Sequence, residues 1–252
     1  MVRLSIRRIL FGAFILPLAL AVAACGGKTD EMGGLSGEVI EKVAPPEGKA
    51  WADVIEKTEE GGFRMGNPDA PIKLIEFASL TCPHCAHFAE ESSVELRDTF
   101  VASGRVSWEF RNFILNPIDL TMAMMVRCGT PESFFALTEQ SFQHQEEIVT
   151  NWDSSTDDER AAVVGLTPDK RYIYIAKLAK LAEFYGARGI AVDQATTCLS
   201  NAAAAETLVD ATTEQGEKYD IAGTPAFVIN GATQSINTWP EIKAKLETMG
   251  AR

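Results

Sequence analysis

An α/β fold, with a central mixed sheet split in the chain by an all-helical insertion, is what this sequence predicts, and three observations predict it. An almost wholly apolar run, Ile72 to Ala78, leads through Thr81-Cys82-Pro83-His84-Cys85 into an amphipathic segment and then into the alternation Val106, Trp108, Phe110. About a hundred residues of helical character follow Asn116-Pro117. Strand character resumes at Ala226-Phe227-Val228-Ile229 and is closed by Asn230-Gly231. The outcome is a strand-helix-strand half, a helical insertion and a strand-strand-helix half.

In chain order, residues 1–24 read as a secretory signal. Arg3, Arg7 and Arg8 precede an apolar run from Ile9 to Ala24 broken only by Gly12 and Pro17, and no acidic residue occurs before Asp30. Such a run is too short for a stable membrane span. Its end, Val22-Ala23-Ala24-Cys25, resembles a bacterial lipobox, in which Cys25 becomes the lipidated first residue of the mature protein. Ordinary cleavage that leaves an unmodified Cys25 is the alternative. Residues 25–50, rich in Gly, Pro, Lys and Glu, suit a tether without fixed structure.

The first half of the sheet domain is expected over residues 51–116. Alternating apolar positions around Gly61-Gly62 suggest a short hairpin from Trp51 to Met65, and Gly66 to Pro71 is dense in turn residues. Ile72 to Ala78 has the composition of a strand covered on both faces, apart from Glu76. A carboxylate there is costly unless paired or used. Glu76 either reaches under the next helix to exchange protons with Cys85, or lies at a sheet edge, facing solvent or paired with Lys73 or Arg111. Cys85, Phe88, Ala89, Ser92 and Leu96 recur at helical spacing up to Ser103-Gly104. The strand that follows implies a right-handed parallel crossover.

The insertion is expected over residues 117–220. Ile118 to Cys128 and Phe134 to Phe142 are apolar helices, Trp152 to Arg160 an acidic loop, Tyr172 to Tyr185 one largely buried helix, and Asn201 to Tyr219 an Ala-rich helix. In residues 221–252, Asn230-Gly231 joins two strands, the second near Thr233 to Ile236. Thr238 and Glu241 suggest a capping box for a last helix ending near Met249.

Two cysteines three apart at a helix start point to redox chemistry. With Cys82 at the N-cap and Pro83 in the first helical position, the free N–H groups of His84 and Cys85 point at the Cys82 sulfur. Those donors, the helix dipole and a protonated His84 ring would all favour a thiolate. Cys82 is therefore expected to ionise well below the ordinary cysteine value of roughly 8.5 and to act as nucleophile and leaving group. Cys85, one turn on and facing inward, reads as the resolving thiol.

The remaining cysteines divide between lipid and structure. Cys25 goes to the anchor, which leaves Cys128 and Cys198 for each other in an oxidising compartment; two free buried thiols are the alternative. Zinc would need two ligands beyond Cys82 and Cys85, and His84, His87 and His144 form no HxxxH pair, so no metal is expected. Ala86 in place of a histidine after Cys85 argues against covalent haem. Loss of residues 1–24 removes three arginines and no acid, taking the formal charge from −12 to −15. So acidic a chain is a poor partner for nucleic acid or an anionic bilayer.

From Gly62 to Met249 the chain resembles the DsbA-type thiol-disulfide oxidoreductases, which carry a thioredoxin fold with an inserted helical domain. Cys82-Pro83-His84-Cys85 between a buried strand and a helix is one mark, and Gly223-Thr224-Pro225-Ala226-Phe227 is the second. The resemblance implies a cis Pro225 against the active-site disulfide, and a Thr224 backbone free to pair with an extended client peptide. It also puts Glu76 where the family keeps its buried acid. The activity implied is the introduction of disulfides into exported proteins in the bacterial periplasm, by a chain held to a membrane through Cys25.

No cofactor beyond the Cys82-Cys85 disulfide is implied. The expected partners are reduced or misoxidised exported proteins and a membrane redox partner for reoxidation. Thr224 departs from the valine of the best-known oxidases and is shared with isomerase and reductase relatives, which keeps that direction open. Against an isomerase, the roughly forty residues between the signal and Gly66 are too few for that group's dimerisation domain. A non-enzymatic client-binding lipoprotein is the remaining alternative.

Overall fold

The computed structural model describes residues 37–252; the expected signal, Cys25 and the first part of the expected tether lie outside the described residues. Among the described residues, six strands form one sheet in the order β1-β2-β4-β3-β5-β6. β1 (Ile55–Lys57) and β2 (Phe63–Met65) are the expected hairpin, and β2 pairs antiparallel with β4 (Val106–Asn112). β3 (Ile72–Ala78) runs parallel to β4 and antiparallel to β5 (Ala226–Ile229). β6 (Ala232–Thr233) is shorter than expected and closes the far edge. Asn230 and Gly231, at φ 49° and 82°, make the tight turn before it.

Residues 37–50 depart from the tether expectation. The N–H groups of Gly37, Ile40 and Val43 donate to the carbonyls of Thr248, Gly250 and Ser103, each at 3.0 Å, and Trp51 Nε1 donates to Val43 O at 2.7 Å. Backbone pairing of this kind needs no apolar periodicity, which is why composition alone points to a loose segment.

The connection from β3 to β4 is α1 (Pro83–Glu95), continued by a π-helical turn, Leu96–Val101. The insertion comprises α2 (Pro117–Val126), α3 (Phe134–Gln143), α4 (Gln145–Asp153), α5 (Asp157–Gly165), α6 (Pro168–Leu178), α7 (Leu181–Gly186), α8 (Val192–Leu199) and α9 (Ala202–Tyr219). It is fixed to the sheet by aromatic packing. Phe63 of β2 stacks on Phe134 of α3 with centroids 3.9 Å apart, and Trp108 of β4 packs on Phe135 at 4.7 Å. Met122, Met124 and Met125 of α2 are core filling, all buried.

Three expectations for the helices change. Tyr172 to Tyr185 is broken at Lys180, which takes a left-handed φ of 55°. Ile175, Ala176 and Ala179 would lie roughly opposite Leu181 and Tyr185 on one straight helix, yet all five are buried, and the break turns both sets inward. Asp157, Asp158 and Glu159 are the first turn of α5 rather than loop, because Thr156 and Glu159 cap each other's backbone N–H groups. At α10 (Trp239–Thr248) the Thr238 hydroxyl donates to Glu241 Oε2 at 2.6 Å, so the two side chains bond each other instead of forming the reciprocal box.

Candidate active site

The site forms where α1, β5 and the insertion meet. Cys82 is the N-cap of α1, in extended conformation, and Pro83 takes the first helical position. Phe88 packs on Phe227 with centroids 4.6 Å apart, seating α1 against the strand that begins after Pro225. The Thr224-Pro225 peptide bond is cis, Pro225 is buried, and Cys82 Sγ as a thiol donates to Thr224 O at 3.3 Å. Cys82, Cys85, Thr224 and Pro225, far apart in sequence, are thus brought together.

The electrostatics separate the two thiols. Cys82 is lowered to about 5, chiefly because the Cys85 thiol donates to its sulfur. Burial opposes this; the Thr224 hydroxyl and the backbone N–H groups of Cys85 and His84 add to it. Cys85, fully buried, is pushed up out of the physiological range by burial, by the hydrogen bond it gives Cys82 and by the Cys82 charge. The Thr224 hydroxyl is buried without a well-aligned partner and bears on both sulfurs, lowering each. The ring of His84 is exposed, contrary to its expected part in holding the thiolate; what reaches the sulfur is the backbone N–H of this residue, which any residue but proline would supply.

Glu76 is buried and carries neither of its alternative ion pairs. Arg111 pairs with Glu109 at 2.7 Å, and Lys73 is exposed. Trp108 Nε1 donates to Glu76 Oε2 at 2.9 Å; burial raises the carboxyl to about 8 against the lowering effect of that bond. Glu76 lines a cavity of about 160 Å³ beneath α1, together with Ala89, Ser93, Trp108, Phe110 and Phe135. Neither active-site cysteine is among the residues lining it.

Three site residues escaped the sequence reading. Asn116 Nδ2 donates to Thr81 Oγ1 at 2.9 Å, Asp119 Oδ1 accepts from Leu80 N–H at 2.8 Å, and Gln145 Nε2 donates to the carbonyls of Leu80 (2.8 Å) and Cys82 (3.1 Å). The insertion thereby holds the loop that delivers Cys82. Asp119 had a readable signal, since it is the lone acid in the apolar run from Ile118 to Val126. Cys128 and Cys198 are joined in a disulfide between the end of α2 and α8, closing a separation of 70 residues. His87 faces solvent beside Glu91, and His144 lies at the start of α4 beside Glu147.

Residues 58–248 match the thioredoxin family. A structure described as protein-disulfide isomerase from Novosphingobium aromaticivorans is 36% identical, covers 73% of this chain and 96% of that one, and superposes with a TM-score of 0.69. Wolbachia pipientis alpha-DsbA1 shares the fold at 21% identity and a TM-score of 0.59, over 74% of this chain and 89% of that one. A Rickettsia bellii protein named as a protein-disulfide oxidoreductase is 26% identical over 176 residues, 69% of this chain; the chain spans 59% of that relative's length. With its paired cysteines at a helix start, its facing cis-proline and its inserted helices, the chain belongs to the thioredoxin family.

Proposed function

We propose that the protein is a thiol-disulfide oxidoreductase of the bacterial envelope that introduces disulfides into exported proteins. A client thiolate attacks Cys82 Sγ of the oxidised pair, the Cys82–Cys85 bond breaks, and the Cys85 sulfur leaves and is protonated. A second client thiolate then attacks the client sulfur of the mixed disulfide and expels Cys82 as a thiolate. Two electrons pass to the pair, and a membrane redox partner removes them. No cofactor beyond the cysteines enters. Thr224 offers backbone groups to the client chain beside Pro225.

The observation that carries this direction is the placing of Cys82 at the N-cap of α1 beside Cys85 and Thr224, whose donors, with the backbone N–H groups of His84 and Cys85, lower its thiol to about 5. A sulfur so stabilised as an anion leaves readily and favours the reduced form of the pair, which makes its disulfide oxidising. Equilibration with glutathione buffers tests it: an oxidising potential is expected, and a strongly reducing one would sink the assignment. A second reading, an isomerase or reductase kept reduced, is favoured by Thr224 before the cis-proline and by the description of the Novosphingobium relative. The same titration separates the two.

The basic and apolar residues 1–24 and the Val22-Ala23-Ala24-Cys25 motif support export and a lipid anchor. Among the described residues, no helix is long and apolar enough to cross a membrane. Fractionation of cells carrying Cys25→Ser tests the anchor: release from the membrane fraction is expected, and unchanged retention would contradict it.

A further inference from the structure

Asp119 stands in the third position of α2 and is completely buried, yet the exchange chemistry does not call on it. Its Oδ1 accepts from Leu80 N–H at 2.8 Å and its Oδ2 from Leu115 N–H at 2.9 Å, while Asn116 Oδ1 accepts its own N–H at 2.9 Å. The carboxylate therefore spans two chain segments, one of which enters the active site two residues before Cys82. It has no Lys, Arg or His partner among the described residues. Cys82, in the active-site loop, is the ionisable group that bears on Asp119, whose own charge bears in turn on Tyr185 of α7. Tyr185 is kept neutral by burial, its hydroxyl bonded to Ser141 at 2.7 Å, with Arg188 acting on it from α7's end. Only the Cys82 charge changes with redox state.

We propose that Asp119 is a positioning residue for Cys82, whose carboxylate clamps the loop that delivers the sulfur and meets the thiolate's negative charge across that loop. The two groups then share one titration problem. Burial lifts the Asp119 carboxyl to about 6; the N–H groups of Leu115 and Leu80 and the Ser79 hydroxyl pull it down, and the Cys82 charge adds to the rise. By linkage, whatever a Cys82 thiolate does to Asp119, protonation of Asp119 does in reverse to Cys82. Oxidation removes the thiolate and with it that part of the rise. Below about pH 6, where Asp119 takes its proton, Cys82 is relieved of an opposing charge. A clamp with no electrical role would show none of this coupling.

The test is a ¹³C NMR titration of the Asp119 carboxyl in the folded protein, oxidised and then reduced with dithiothreitol, with Asp119→Asn assigning the resonance. The carboxyl is expected to titrate at higher pH in the reduced protein; identical titrations in both states would overturn the proposal. In parallel, Asp119→Asn is expected to lower the alkylation midpoint of Cys82, since Asn keeps an acceptor for Leu80 N–H and loses the charge. A folded Asp119→Asn with an unmoved or raised midpoint would also overturn it. Should the variant not fold, the Asp119 carboxyl is assigned through its bonds to its own backbone amide in the wild type, and the wild-type titration alone decides. The inference rests on Cys82 being the ionised sulfur; ordinary-thiol behaviour of the wild type would end that reading before Asp119 is considered.

Discussion

The indole of Trp108 donates to Glu76 Oε2 at 2.9 Å from the neighbouring parallel strand. An acid held this way is neutral at pH 7, because burial raises it to about 8. Its ordinary unfolded value is roughly 4.3. A raised acid contributes its full stability below the unfolded value and loses it as pH climbs through the folded one.

Glu76→Gln is therefore expected to stabilise the protein at pH 8 by about 1–3 kcal/mol and to do little near pH 4, the amide oxygen still accepting from Trp108. Urea unfolding at the two pH values measures it; an equal effect at both would contradict the raised acid. If Glu76 also relays the Cys85 proton, the same variant slows the attack of Cys85 on a mixed disulfide at Cys82, the reverse of the oxidising step. Unchanged resolution rates between about pH 6 and 8 would remove it from the mechanism.

Cys82 has the opposite sign. A depressed acid contributes stability that is fully present above its unfolded value of roughly 8.5 and is lost as pH falls through the folded one. The melting temperature of the reduced wild type should thus exceed that of Cys82→Ser at pH 8, and the gap should close on approaching pH 5, where Cys82 is protonated. Calorimetry of the two reduced proteins reads the gap directly. A gap independent of pH would mean that ionisation of this sulfur does not stabilise the fold.

Loss of the Cys128–Cys198 disulfide, in the paired Cys128→Ala and Cys198→Ala variant, is expected to cost up to about 4 kcal/mol on the chain-entropy model for a long loop. Guanidinium unfolding measures that cost. Cys82 alkylation in the same variant should keep the wild-type pH profile, since the loop before Cys82 is held through Asn116, Asp119 and Gln145 rather than through this bond. A shifted profile would show that the insertion had let go of the active-site loop.

Arg127 donates to Asn112 Oδ1 at 2.9 Å and to Gly61 O at 2.7 Å, with its guanidinium over Phe63 and Phe134. Burial lowers it to about 10. Arg127→Ala should cost about 2–3 kcal/mol and speed amide exchange in the β1–β2 hairpin, whose turn the side chain holds. Exchange unchanged from the wild type would show that the hairpin is anchored elsewhere.

What could be read from the sequence was what local chemistry decides. Pro83 after Cys82 fixes a helix start, Asn230-Gly231 fixes a turn, and the apolar run from Ile72 fixes a buried strand. What could not be read depends on partners distant in the chain. Gln145 gives no sign in its own neighbourhood that its amide will meet the carbonyls of Leu80 and Cys82. The pairing of Gly37 with Thr248 is equally silent, and the break at Lys180 answers a demand for burial on two sides of one helix. Asp119 is different, since a lone acid in an apolar helix carries the same warning as Glu76 in an apolar strand. The backbone N–H of His84 is legible from the helix start, whereas the exposure of its ring is not.

The most direct measurement is the rate at which iodoacetamide alkylates Cys82 in the reduced protein as a function of pH. A midpoint near 5 is the result the geometry predicts, with the rate flat through neutrality. A rate that climbs only as pH approaches roughly 8.5, as for an ordinary thiol, would contradict it and take the proposed direction of exchange with it.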